Sequence, residues 1–157
     1  MTAIIELGKR IGQITRLDFS ASTQQGSKTG WNGEGHGEVE VTSSLQGEQR
    51  VVYLKETGEF CLHGARPVPF TNIYRFTWYA DRISLHHERR GKEHAVWLFD
   101  LTCDQDDPDI LLSEKSHLCG SDHYSAMLKL NSEGFILNWT IQGARKNERL
   151  TYHYRQS

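Results

Sequence analysis

From Tyr124 to Arg155 apolar and polar residues alternate with a period of two. Tyr124, Ala126, Leu128 and Leu130 alternate with Ser125, Met127, Lys129 and Asn131, the pattern of a half-buried strand. Asn131, Ser132, Glu133 and Gly134 supply a polar turn of hairpin length. Phe135, Leu137, Trp139 and Ile141 then alternate with Ile136, Asn138, Thr140 and Gln142. The first four are expected to be buried, and a register shift of one residue would exchange the two sets. Gly143 and the run Arg145, Lys146, Asn147, Glu148 break the pattern before a third strand, with Leu150, Tyr152 and Tyr154 against Thr151, His153 and Arg155. Two hairpins in succession make a meander, the building unit of up-and-down barrels.

The rest of the chain repeats this grammar in shorter pieces. Ile4, Leu7 and Ile11 lie near one stripe, which predicts a short helix over Thr2 to Ile11. A first strand is expected from Gln13 to Ser22, and the polar stretch Thr23 to Asn32 reads as an exposed loop. Gly33, Gly35 and Gly37 alternate with Glu34, His36 and Glu38 before Val39 and Val41. Glycine along one face of a strand marks close backbone approach or a barrel corner. No βαβ context surrounds these glycines, so they are not a dinucleotide fingerprint. Leu45 to Glu48 is expected to be a turn, Arg50 to Glu56 a strand that Gly58 ends or bends, and Pro67 and Pro69 a loop. Ile73 to Tyr79, Ile83 to Glu88 and His94 to Leu101 are further strand candidates, and Asp104 to Ser116 a long excursion. His117 and Cys119 share a face. A bulge at Gly120 would bring Asp122 and Tyr124 round to that face.

About eight to ten short strands with no crossover helix predict an all-β chain. We read it as a single antiparallel up-and-down β-barrel spanning residues 1–157, with a short N-terminal helix. A barrel is preferred to a sandwich because closure removes the edges a lone meander leaves. The 157 residues suffice for one domain with a real core. A net charge of -2 argues against nucleic acid or an anionic membrane surface as partner. No apolar run approaches the length of a membrane span, and the start lacks a signal-peptide core. Cys61, Cys103 and Cys119 are an odd number, so a reduced, cytoplasmic compartment with no disulfide is the expected setting.

Several segments resemble an uncharacterised family, the domain of unknown function 6314. They are Arg16, YLKETG at Tyr53 to Gly58, RFTW at Arg75 to Trp78, HLCGSDHY at His117 to Tyr124, WTIQGARK at Trp139 to Lys146, and the closing Tyr152, Tyr154 and Arg155. Ala144 stands where the family is expected to carry proline. The resemblance implies a calycin-like barrel, akin to lipocalins and fatty-acid-binding proteins, with a polar interior. It implies no established activity.

The candidate chemistry is distributed among these segments. Arg16, Arg75, Arg145, Lys146 and Arg155 recur beside aromatic residues. Facing a cavity they would bind a carboxylate or phosphate. The alternative is structural ion pairs, Glu56 with Arg75 or Arg155 and Asp122 with Arg145. At least one of Arg145 and Arg155 is expected inside the barrel mouth, paired with Asp122 or Glu56, because a buried cation needs a partner. Trp78, Trp97, Trp139, Tyr74, Tyr124, Tyr152 and Tyr154 would line a ligand cavity or simply fill the core. His117, Cys119, Asp122 and His123 are metal-ligand types, but no spacing characteristic of a metal site joins them, so a hydrogen-bonded cluster is the better reading. Cys119 beside His117 is read as a small buried thiol in preference to a nucleophile.

The expected function is therefore binding of one small anionic or amphipathic molecule, without a cofactor or metal. The binding set is Arg16, Tyr53, Glu56, Arg75, Trp78, His117, Cys119, Asp122, Tyr124, Trp139, Arg145, Lys146, Tyr152 and Arg155. The alternative is a lyase, isomerase or hydrolase with His117, Asp122, Glu56 and Tyr124 as acid–base groups. A third reading is an interaction protein that uses the Thr23 to Asn32 and Asp104 to Ser116 loops.

Overall fold

A computed structural model describes residues 2–23, 32–88, 93, 95–113, 117–119, 122–143 and 146–156; for 117–119 and 122 it describes the backbone alone. Helix α1 (Thr2–Arg10) runs into a short 3-10 turn (Ile11–Gln13) and then into a continuous antiparallel meander. Its strands are β1 (Arg16–Thr23), β2 (Gly33–Gln46), β3 (Gln49–Leu62), β4 (Val68–Trp78), β5 (Ile83–His87), β6 (Val96–Cys103), β7 (Ile110–Ser113), β8 (His117–Cys119), β9 (Asp122–Leu130), β10 (Gly134–Gln142) and β11 (Asn147–Arg155). From β1 to β7 and from β8 to β11 each strand pairs with the next, and β11 also pairs with β1. The ring is thus a closed barrel of 10 antiparallel strands. Strands β7 and β8 both pair with β9, at Met127–Lys129 and Asp122–Tyr124 respectively, and so share one place in the ring. Closure leaves few free edges and accounts for a meander this long remaining a single sheet.

The inward set follows the period of two. Phe135, Leu137, Trp139 and Ile141 are all buried, as their alternation predicts. Leu17, Val52, Leu54, Phe76, Leu85, Phe99, Leu101 and Leu128 complete a core that fills one end of the barrel. Helix α1 closes that end. Its apolar stripe of Ala3, Ile4 and Leu7 is buried, and the indole of Trp78 donates to the Ile4 carbonyl at 3.0 Å. Arg50 donates to the Gly8 carbonyl and places its guanidinium 5.3 Å from the Trp78 ring centre.

Five local expectations change. Strand β3 continues through Gly58 to Leu62, because Gly58 faces Gly37 across the ladder and the two backbones approach closely. Strand β4 begins at Val68 and includes Pro69. Among the described residues β5 pairs only with Tyr74 to Trp78, so one side of β4 has no described ladder partner at Pro69, where the N–H is missing. The excursion from Asp104 contains a ring strand, β7, whose run Ile110, Leu111, Leu112 is too short to show alternation. The turn after β2 tightens to Gly47 and Glu48, with Gly47 at φ 65°. The single strand with a bulge at Gly120 becomes two antiparallel strands, β8 and β9, with Cys119 paired to Asp122 and His117 to Tyr124, while the expected loop at 24–31 lies outside the described residues.

Candidate functional site

The barrel end opposite the helix is not filled. A cavity of about 530 Å³ opens there, lined by Phe19, Pro69, Phe70, Thr71, Asn72, Tyr74, Lys146, Glu148, Leu150 and Tyr152. Cross-strand register builds its aromatic wall. Tyr152, Phe19, Gly35 and Phe60 form one row across β11, β1, β2 and β3. Gly35 leaves its place in the row empty, and a Cβ there would collide with the Phe19 ring. Phe19 lies over the glycine and stacks on Phe60 and Tyr152, with ring centres 5.0 and 5.3 Å away, while Phe70 meets its edge at 5.7 Å. Aromatic cover of a strand glycine is a recognised device for shaping a curved sheet. Here it sets the ring that walls the cavity.

Polar groups form the base. Glu56 follows Val52 and Leu54 on the inner face of β3 and is fully buried. Its cross-strand neighbour is Asn72, whose amide nitrogen donates to Oε1 of Glu56 at 3.5 Å. Tyr154, on the inner face of β11, donates its hydroxyl hydrogen to Oε2. Burial raises the Glu56 carboxyl to about 8, against the lowering effect of these two hydrogen bonds. Desolvation therefore outweighs hydrogen bonding, and the acid is mostly neutral at pH 7. Beside it the hydroxyls of Tyr74 and Tyr152 meet at 3.4 Å. Burial pushes the Tyr152 phenol up to about 12. Glu56 lies beneath the cavity lining and is linked to it through Asn72.

The sequence-predicted site residues divide into groups. Glu56, Trp139 and Tyr152 lie inside the barrel, and Lys146 stands at the cavity rim. Trp78 is inside but at the helix-closed end. Tyr124 is half-buried and packs against the core. Arg16 is exposed, and Tyr53, Arg75 and Arg155 share the outward parity of their strands. The expected inward guanidinium is therefore corrected for Arg155. It pairs on the outer face with Asp18 at 2.8 Å, because the buried Tyr152 and Tyr154 fix the opposite parity. Arg75 pairs with Glu88 at 2.8 Å and not with Glu56. Trp97, read as a possible cavity residue, is 40% exposed and donates to Asp100. Arg145 lies outside the described residues, as do the side chains of His117, Cys119 and Asp122. Among the described residues no group of three or more His, Cys, Asp or Glu is placed to hold a metal. Cys61 and Cys103 are not joined in a disulfide.

The sequence reading missed Asn72, Phe19, Phe70, Glu148 and Leu150. Each has a signal in hindsight. Asn72 and Phe70 share the parity of Tyr74 and Phe76, and Phe19 that of Leu17. Glu148 shares the parity of Leu150 and Tyr152 but was assigned to the break before the strand.

A model of one protein family, described as Family of unknown function (DUF6314), matches residues 18–156. No curated protein and no solved structure matches the chain.

Proposed function

The chain belongs to this family of unknown function, and on that premise we propose that it is a small-molecule-binding barrel whose ligand enters the end opposite helix α1. The ligand is small and amphipathic, with an aromatic or apolar body. The observation that carries this reading is the aromatic-walled cavity of about 530 Å³ above a polar base. Its volume falls in the range of roughly 300–1,000 Å³ usual for ligand pockets. With Arg75 and Arg155 on the outside, Lys146 is the described cation in the lining, so any anionic end of the ligand points to the rim. A calycin-like kinship and a cytoplasmic setting belong to the same reading. The ten-strand antiparallel ring is consistent with the kinship.

The test uses N-phenyl-1-naphthylamine, a neutral dye whose emission rises in apolar surroundings. It should bind the wild-type protein and lose that signal in Leu150→Trp, which fills the cavity. Phe70→Trp, at a half-buried position on the inner face of β4 near the rim, should weaken it as well. Dye emission unchanged in both variants would sink the reading.

A second reading has one observation in its favour: a buried acid, raised to about 8, next to a cavity. It is a lyase, isomerase or hydrolase with Glu56 as its acid–base group, the substrate taking the place of the Asn72 amide on Oε1 so that the proton passes directly between them. Glu56→Gln keeps the shape and removes the proton, so an activity found in the wild type and retained in that variant would end it.

A further inference from the structure

We infer that the base of the cavity recognises a neutral oxygen acceptor, such as the carbonyl of an aryl ketone, ester or amide, and rejects a carboxylate; this rests on the binding reading above. The groups that face the cavity from its base are hydrogen-bond donors held loosely. The Asn72 amide reaches Glu56 only at 3.5 Å. Tyr152 and Tyr74 meet at 3.4 Å, long for a bond between two hydroxyls. A ligand oxygen at normal distance would take these hydrogens at little loss to the protein. A carbonyl oxygen has two lone pairs and accepts two such donors. The stacked rings of Phe19 and Tyr152, with Phe70 at their edge, suit a flat aryl body attached to that carbonyl.

Charge decides against the carboxylate. An ionised group buried without a cation costs several kcal/mol. Lys146 is the described cation in the lining, and it precedes Tyr152 by six residues along the strand direction. At about 3.3 Å per residue the two backbones are roughly 20 Å apart, beyond the reach of a lysine side chain. The base itself resists negative charge: burial holds the Glu56 and Tyr152 protons well above their ordinary values, and the Glu56 charge adds to the effect at Tyr152. A carboxylate would sit beside a neutral acid in surroundings that keep even their own acid neutral.

The experiment compares naphthalene, 2-acetylnaphthalene and 2-naphthoate as competitors of N-phenyl-1-naphthylamine near neutral pH. The ketone should displace the dye at several-fold lower concentration than naphthalene, although it is the less hydrophobic of the two. It should outcompete the carboxylate by at least about tenfold. The gain of ketone over naphthalene should vanish in Tyr152→Phe or Asn72→Leu. Naphthalene binding as tightly as the ketone, or naphthoate matching it, overturns the inference. If the dye binds and is lost in Leu150→Trp while the ketone shows no advantage, this inference alone fails. If the dye does not bind the cavity, the binding reading fails and takes the inference with it.

Discussion

Tyr154 donates a hydrogen bond to Glu56 across the barrel interior, from β11 to β3, with β1 and β2 between them in the ring. The contact ties the last strand to the third and joins two groups that water does not reach. Tyr154 is 2% exposed and Glu56 is fully buried. Burial, with the Glu56 charge adding to it, raises the Tyr154 phenol well above its usual value, so it remains the donor throughout the working pH range.

The first prediction concerns stability against pH. The Glu56 carboxyl titrates at about 8 in the fold against 4.5 unfolded, so the folded state holds the proton more tightly. Its contribution is fully present below pH 4.5, falls as pH rises between the two values, and is gone above about 8. At about 1.4 kcal/mol per pKa unit, the loss amounts to several kcal/mol. Glu56→Gln mimics the neutral acid and lacks this dependence. In urea unfolding the variant should match the wild type at low pH and exceed it above neutrality. Parallel stability curves for the two proteins from acid to alkali would show that Glu56 is not held neutral.

A second prediction follows from the paired glycines of β2 and β3. A Cβ on Gly58 would collide with the His36 carbonyl oxygen and lie 2.6 Å from the Gly37 Cα. Both obstacles are backbone, which cannot swing aside as a side-chain tip does. Gly58→Ala should therefore destabilise by about 1–3 kcal/mol, the usual range for overpacking. Gly12 is the control, since nothing lies within 4 Å of an added Cβ there. Gly12→Ala should be close to neutral in the same thermal melts. Equal stability of the two variants would remove the close approach from the account of the barrel's shape.

Much of this fold was legible because a closed meander repeats a single rule. The alternation sets the face of the inward residues from Tyr124 to Ile141 and from Leu150 to Tyr154, and the structure keeps that register. Where the rule had too few residues to act on, it failed, as at β7 and at the proline-bearing start of β4. The site was less legible for a different reason. A cavity arises where inward side chains are missing or small, and Gly35 and Gly37 are silent in a hydrophobic pattern. Glu56 shares the parity of Val52 and Leu54, which puts it on their inner face, but parity does not name its partner. The partner depends on which strands become neighbours and at what height, and alternation within one strand carries no such information. Arg75 and Arg155 follow parity to the outer face, and the aromatic residues beside them in sequence carry no information about which face that is.

The last prediction separates the two arginine pairs, which look alike in sequence. Arg75 pairs with Glu88 at 2.8 Å, and their side chains are only 16% and 6% exposed. Arg155 pairs with Asp18 at the same distance, but at 41% and 47% exposure. The N–O distances are equal, and the pairs differ in burial. Removing Arg75 strands a carboxylate that water barely reaches, and breaking such a pair costs about 3–5 kcal/mol. Removing Arg155 leaves Asp18 well solvated, and exposed pairs contribute at most about 1 kcal/mol. Arg75→Met and Arg155→Met should therefore differ by at least about 2 kcal/mol in urea unfolding. Adding Glu88→Gln to Arg75→Met should recover much of the loss, because the stranded charge goes with it. Adding Asp18→Asn to Arg155→Met should change little. If Arg155→Met proves the costlier of the two, burial is not what distinguishes the pairs. The assignment of Arg155 to the outer face, fixed by the inward Tyr152 and Tyr154, would then have to be abandoned.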